Sequence, residues 1–388
     1  MITRETLREI AAFQSPSHDA VTFYFQPSVP QDKSHRQEAI LVKDLVRNAI
    51  VSVDKEGKNG NLRATLDRIL ALSEHLHGNQ GKAKAVFACA SQNYWREFDL
   101  PSELSSTQLI VNQRFHVTPM AGLHDTLGKV SVVLIDRTKA RFFELQMNQV
   151  REVADLVNQI TRRGRSDGFF GFDAGHAERR VDNEIAAHYR RVSERLMELY
   201  GNGAAEYFVL GCHEEAHNDI EKELHPYLRQ RLIGHFSAEP TGITPDEVRQ
   251  SANRVIGQHR QQTRRELISE VVDEAKADNR GALGLRRVLR ALQMGEIQTL
   301  LLERSFRALG GECTNCGYLD MEHAKFCASC NHSMRRIDDL ADAIIGRTLS
   351  AGADVMYVPE NADLQRHGNI AALLRFRAER SMGQRMAS

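Results

Sequence analysis

Apolar and polar positions along this chain follow two periods, one near 2 and one near 3.6. AVTFYFQP (20–27) has the β-branched and aromatic content of a strand. Helices are expected near 34–53 and 61–78; in the first, Ile40, Leu41, Leu45 and Ile50 recur at helical spacing. DKEGKNGN (54–61), polar and glycine-bearing, reads as the loop between them. AKAVFACA (83–90) and STQLIVNQRFHV (106–117) read as further strands.

From about 126 the pattern changes. KVSVVLID (129–136) is continuously apolar, as expected of a strand buried on both faces, and RTKARFFELQ (137–146) pairs naturally with it. After a polar, glycine-rich stretch, the pattern predicts a helix over 178–200, the strand AEYFVLGC (205–212) and a helix to about 234. Strands alternating with helices suggest an α/β layer. Thr244-Pro245-Asp246-Glu247 reads as a helix start, with Thr244 as cap, Pro245 in the first turn and Glu247 closing a capping box. That helix, to about 277, is expected to link domains.

The last third begins with a helix, GLRRVLRALQMG, ended by Gly295, and a strand, IQTLLLE (297–303). A four-cysteine segment, a helix (337–351), a strand (353–360) and the apolar NIAALLRF (369–376) follow. The expected organisation is an α+β domain over 1–125, an α/β domain over 126–278, and an α/β domain over 279–388 carrying a minidomain at 311–333.

A chain of 388 residues fits two or three domains at about 150 residues each. With 41% apolar and 26% charged residues it matches ordinary globular usage rather than a disordered chain. Fifty-one basic residues balance 51 acidic ones, which argues against a histone-like polycation but allows local basic patches on RNA. No apolar run approaches the roughly 18 residues of a membrane helix, and MITRETLREI lacks a secretory core, so a cytoplasmic location is expected.

Cysteine spacing carries the clearest chemistry. Cys313-Thr-Asn-Cys316 and Cys327-Ala-Ser-Cys330 are two C-x-x-C pairs ten residues apart. Each pair can set two thiolates on one side of a tight turn, and two such turns make a tetrahedral cage suited to one structural Zn²⁺, with two redox dithiols as the alternative reading. Gly317 and Asn331 follow the pairs, and both types tolerate a left-handed backbone. His323 and His332 could ligate, though four cysteines already fill such a site. Cys89 and Cys212 sit alone in apolar runs and read as buried strand residues.

Two other patterns have competing readings. His213-Glu214-Glu215-Ala216-His217 matches H-E-x-x-H, the zinc-protease spacing, but starts at a strand end rather than inside a helix, so an exposed helix start is the alternative. Arg162, Arg163 and Arg165 open a loop containing Phe169, Phe170 and Phe172, and Arg179, Arg180, Arg190, Arg191 and Arg195 follow on the helix. Arginines with exposed aromatics can track phosphates and stack on bases; a solvated helix face with tucked aromatics explains them equally well. Lys55, Lys58 and Arg63 repeat the basic signal in the first domain. Nothing matches a P-loop or a dinucleotide glycine motif.

The last third also carries a resemblance. RALQMGEIQTLLLE (290–303), the cysteine insertion after it and GADVMYVPENADLQRHGNIAALLRF (352–376) resemble the C-terminal domain of the archaeo-eukaryotic release factor 1 and Pelota superfamily. His367 to Phe376 resembles the family's Gly-Ile-Ala-Ala-hydrophobic-Leu-Arg-aromatic ending, and archaeal members place a four-cysteine minidomain after the same strand. The order of all three domains agrees. Release factors hydrolyse peptidyl-tRNA through Gly-Gly-Gln, where this chain reads GFFGFDAGHAERR; the Asn-Ile-Lys-Ser codon-reading motif is replaced by KEGKNGN. The resemblance therefore implies a tRNA-mimicking, three-domain body that occupies the ribosomal A site without chemistry. It is similar in this to bacterial hibernation-factor members, which act with elongation factor Tu in stress. Those implied placements set 1–125 toward the decoding site, 126–278 toward the peptidyl-transferase centre and ribosomal RNA, and 279–388 toward a translational GTPase, with neither DNA nor membrane as partner. A rescue factor or peptidyl-tRNA hydrolase with a divergent loop, using Asp173, His176 or Glu178, stays open beside it.

Overall fold

A computed structural model of the chain describes residues 3–27, 36–55, 60–73, 83–100, 106–122, 128–157, 171–322, 324–337 and 339–376. Within its helices, the side chains of 36, 52–55, 60, 61, 73 and 171–178 lie outside that description. The chain divides into two compact units, one formed by Thr126–Arg265 and the other by Met1–Asp125 with Glu266–Ser388.

The first segment holds α1 (Arg4–Ala12), β1 (Ala20–Phe25), α2 (Arg36–Lys55), α3 (Gly60–Ser73), β2 (Ala83–Cys89), β3 (Tyr94–Leu100), β4 (Gln108–Asn112) and the short α4 (Thr118–Ala121). Thr3 caps α1 by accepting from the Thr6 N–H at 3.1 Å. The sheet order is β3-β2-β1-β4, with every pair antiparallel. Val21, Phe23 and Val86 on one face pack against Val42 and Val46 of α2 and Leu62, Leu66 and Ile69 of α3. On the other face Phe87, Tyr94 and Phe13 gather around Phe115. Covering on both sides accounts for the unbroken burial of β1. Helix α2 lies where expected, but its buried positions are Val42 and Val46; Ile40 and Leu41 are about half exposed. β3 was not foreseen, and β4 is shorter than the 106–117 expected.

The middle unit contains β5 (Val130–Ile135), β6 (Lys139–Gln146), β7 (Gln149–Val157), α5 (Gly171–Tyr200), β8 (Tyr207–Cys212), α6 (His217–Glu223), α7 (Pro226–Arg229), β9 (Leu232–Ser237) and the first part of α8 (Pro245–Lys276). Its sheet order is β7-β6-β5-β8-β9, with β5, β8 and β9 parallel. Tyr189, Val192, Leu196 and Tyr200 of α5 cover one face over Val133, Ile135, Phe208 and Leu210. Val248, Ala252, Val255 and Ile256 of α8 cover the other over Val132, Leu134, Phe143 and Val209. The expected capping box forms: the Thr244 N–H donates to Glu247 at 2.8 Å and the Glu247 N–H to Thr244 Oγ1 at 3.3 Å.

Two expectations fail here for identifiable reasons. β7 arises because Met147 and Asn148 both adopt left-handed φ, 48° and 61°, which closes a two-residue hairpin without a glycine to announce it. The single helix expected to about 234 breaks at His225, whose backbone is extended ahead of Pro226. The chain then turns through α7 and adds β9 as a further parallel strand.

The remaining segment holds β10 (Gly281–Leu283), α9 (Leu285–Met294), β11 (Ile297–Glu303), β12 (Gly310–Cys313), β13 (Leu319–Asp320), β14 (Met334–Ile337), α10 (Leu340–Ser350), β15 (Asp354–Val358), α11 (Ala362–Gln365) and β16 (Ile370–Leu374). Gly295 ends α9 with φ 70°, as its position suggested. A four-stranded sheet runs β10-β16-β11-β15, and Ile268, Val271 and Val272 from the end of α8 pack on Leu301, Val358 and Leu373. α1 lies against α10, joining the first and last segments.

Candidate metal centre and the basic loops

β12, β13 and β14 form a separate three-stranded sheet; Cys313 ends β12, and Cys316, Cys327 and Cys330 lie in the segments between its strands. Both C-x-x-C pairs fold into the same turn. The Cys313 N–H donates to Tyr318 O and the Cys327 N–H to His332 O, each at 2.8 Å. Gly317 N–H returns to Cys313 O at 3.1 Å, and Asn331 N–H to Cys327 O at 2.9 Å. Gly317 and Asn331 take φ of 70° and 58°, the left-handed backbone their residue types allow.

These turns aim amides at sulfur. Asn315 and Cys316 N–H each lie 3.4 Å from Cys313 Sγ, and Ser329 N–H lies 3.3 Å from Cys327 Sγ. All four Sγ atoms fall within 4.8 Å of one another, with adjacent pairs at 3.4 to 3.6 Å. Zn–S bonds of about 2.3 Å in a tetrahedron set sulfurs about 3.8 Å apart, so the cage is close to the size zinc requires. The His332 N–H and neighbouring donors hold Cys330 down to about 5. The Tyr318 amide lowers Cys316 too, but burial and the adjacent thiols outweigh it and push that group up to about 12. Four thiols this close cannot all ionise unaided; a divalent cation would supply the missing charge. His332 turns its Nδ1 to the Cys330 carbonyl at 3.0 Å and is no ligand, while His323 lies outside the described residues.

The cage is tied into its unit by a buried carboxylate. Glu312, one residue before the first cysteine, receives Arg114 at 2.6 Å and Arg335 at 2.5 Å. Arg347 reaches the Cys316 carbonyl at 3.4 Å, and a Cβ on Gly317 would lie 3.0 Å from Arg114 and 3.2 Å from Arg347. Glycine at 317 thus permits both the left-handed turn and the close approach of two guanidiniums. Sequence spacing offers no sign of Arg114, because it acts from a different segment.

Of the basic positions singled out, Lys58, Arg162, Arg163 and Arg165 lie outside the described residues. Lys55 closes α2, and its side chain is likewise outside them. Arg63 is exposed in the first turn of α3, and Arg179 and Arg180 are exposed on α5. The ridge on α5 shares its charge with acids: Arg180 meets Glu184 at 3.3 Å, Arg190 meets Glu223 at 2.9 Å and Arg195 meets Glu198 at 2.7 Å. The side chains of Phe172, Asp173, His176 and Glu178 lie outside the described ones, as do Phe169 and Phe170.

The H-E-x-x-H match does not make a zincin helix. His213 follows β8, Glu214–Ala216 form a 3-10 turn, and α6 begins only at His217. His213 faces Glu239 at 3.3 Å, whereas the His217 ring stacks on His235 with centroids 3.9 Å apart. The two imidazoles therefore do not converge. Among the described residues the four cysteines form the one group placed to hold a metal ion. A cleft of about 960 Å³ opens beyond the ends of β5 and β8, lined by residues of both charges, including Asp136, Arg137, Asp219 and Lys222. Cys89 and Cys212 are fully buried on strands, as expected.

Residues 116–264 match the family described as bacterial archaeo-eukaryotic release factor family 10. The chain is similar to peptide chain release factor subunit 1 of Pyrococcus abyssi, at 21% identity over 306 residues, 71% of this chain and 73% of that one. It is also similar to the same factor of Archaeoglobus fulgidus, at 20% over 406 residues and 97% of each chain. Among solved structures, ribosome-bound archaeal Pelota aligns with a TM-score of 0.42 and 14% identity, covering 77% of this chain and 79% of that one.

Proposed function

We propose that this chain, a member of the archaeo-eukaryotic release factor and Pelota superfamily, is a translation factor that occupies the ribosomal A site without hydrolysing peptidyl-tRNA. One observation carries the reading. The family match covers the compact middle unit, and where release factors place Gly-Gly-Gln this unit's sequence reads GFFGFDAGHAERR. A glutamine loop works by orienting water at the ester, so losing it removes the gain from positioning.

In this reading the segment 161–180, whose residues from Gly171 on begin α5 rather than a loop, reaches toward the peptidyl-transferase centre and the region 54–63 toward the decoding site. Residues 279–388 face a translational GTPase, elongation factor Tu in a bacterial cell, and the role is hibernation, in which the chain resembles the hibernation factor Balon. Zn²⁺ held by Cys313, Cys316, Cys327 and Cys330 is structural: four protein ligands leave no open position for a substrate. Lys55, Lys58, Arg63, Arg162, Arg163, Arg165, Arg179 and Arg180 would contact ribosomal RNA through phosphates.

The test is cosedimentation with ribosomes, with and without A-site tRNA as competitor, beside an assay for labelled peptide released from programmed ribosomes. Binding that A-site tRNA displaces, with peptide release at the no-protein level, is the expected result. Absence of cosedimentation overturns the binding role; release above control supports the divergent hydrolase instead.

A further inference from the structure

The long helix α8 carries a feature that neither the zinc cage nor the basic loops use. Residues 248–265 contain five arginines and no acidic residue, in a chain whose charges balance overall; of the five, Arg249 pairs with Asp246 one turn before it at 2.6 Å. One face of this stretch, Val248, Ala252, Val255 and Ile256, packs on the middle sheet. Arg254, Gln258, Gln261 and Arg265 are all exposed. They follow one another at spacings of four, three and four, which puts them in one stripe along the helix. Unlike the arginines of α5, neither Arg254 nor Arg265 meets a carboxylate among the described residues.

Gly257 lies beside this stripe, exposed in the helix interior. Glycine weakens a helix there, and a Cβ at 257 would meet nothing within 4 Å among the described residues, so none of these requires it. What it does is keep the surface low between the two arginines.

We infer that this stripe is a docking face for the backbone of an RNA duplex, an inference that rests on the ribosome-binding reading above. Arg254 and Arg265 stand about 16 Å apart along the helix axis. Their guanidiniums suit phosphates on either side of the wide, shallow minor groove of A-form RNA. Between them, the amides of Gln258 and Gln261 both donate and accept, as a 2′-hydroxyl does.

The experiment uses the full zinc-loaded chain and a labelled 20-bp RNA duplex, titrated at several salt concentrations, with ribosome cosedimentation in parallel. The parent binds the duplex, and log K falls steeply with log salt as counterions are released. Arg254→Gln with Arg265→Gln weakens binding at least tenfold at low salt and flattens the slope by about 2, one for each lost phosphate contact. Arg254→Lys with Arg265→Lys keeps the slope. Gly257→Glu, which projects into open space, weakens binding while circular dichroism stays helical. A parent that binds no duplex, or a double glutamine variant with unchanged affinity and slope, overturns the inference. So does a double variant that leaves the ribosome but still binds the duplex, which would assign the stripe to a ribosomal protein. Duplex binding by a parent that never cosediments with ribosomes leaves this inference standing and removes the functional reading.

Discussion

Arg114 donates to Glu312 at 2.6 Å across 198 residues of sequence. The carboxylate it meets is 5% exposed and receives Arg335 on its other oxygen. One buried negative charge thus holds β12 of the minidomain, β14 beside it and the segment after β4. Burial and the nearby Arg114 depress Arg347 as well, which marks the pocket as crowded with positive charge. Glu312→Gln keeps the shape and removes the counter-charge, so it should cost roughly 3 kcal/mol by urea unfolding. Arg114→Ala should cost about 1 kcal/mol, because Arg335 still neutralises the carboxylate. Equal losses from the two variants would refute this division.

The cysteine cage should bring one zinc per chain. Elemental analysis in reducing buffer should return near-stoichiometric zinc for the parent and none for a variant with Cys327 and Cys330 both changed to Ser. Metal binding is folding free energy for a three-stranded sheet too small to bury its own core, so a chelator should lower the melting temperature. Full zinc retention by the double variant would place the metal elsewhere.

His188, fully buried under the middle sheet, should make that unit sensitive to mild acid. Burial lowers its pKa, partly offset by backbone hydrogen bonds at Lys139 and the charge of Asp136. The unfolded chain therefore binds a proton below its ordinary value of about 6.5 that the folded chain resists. Stability is present above that pH and falls as the solution is acidified through it. Replacing His188 with Gln should reduce the drop in melting temperature between about pH 7 and 5. A variant as pH-sensitive as the parent would assign the effect to another group.

Gly281→Ala should destabilise by roughly 2 kcal/mol or more, read from chemical denaturation. A Cβ there would lie 2.3 Å from Val271 O and from Ala275 N, both backbone atoms of α8 that cannot turn aside. Gly352→Ala meets no neighbour among the described residues, so its cost comes from a φ of 72° and should be about 1 kcal/mol.

Local chemistry alone determined much of this protein. The capping box at Thr244, the left-handed ends at Gly295, Gly317 and Asn331, and the strands β1, β5, β8 and β11 were all legible, because each depends on neighbours a few residues away. The sulfur cage was legible for the same reason, since its two turns are set by residues adjacent to each pair. Partners distant in sequence were not. Nothing near Ile40 and Leu41 says that α2 turns Val42 and Val46 to the sheet instead; the position of α3 across the sheet decides it. Nothing near residue 232 says that the chain becomes a parallel strand, because a strand's hydrogen bonds come from β8, a separate element. Arg114 belongs to the setting of the metal cage only through a fold that brings it to Glu312. Arg180 and Arg195 of α5 have acids one turn away, at Glu184 and Glu198, which the sequence already shows. That Arg190 meets Glu223 on another helix is decided only by the tertiary structure, because an ion pair depends on distance in space and not on order in the chain.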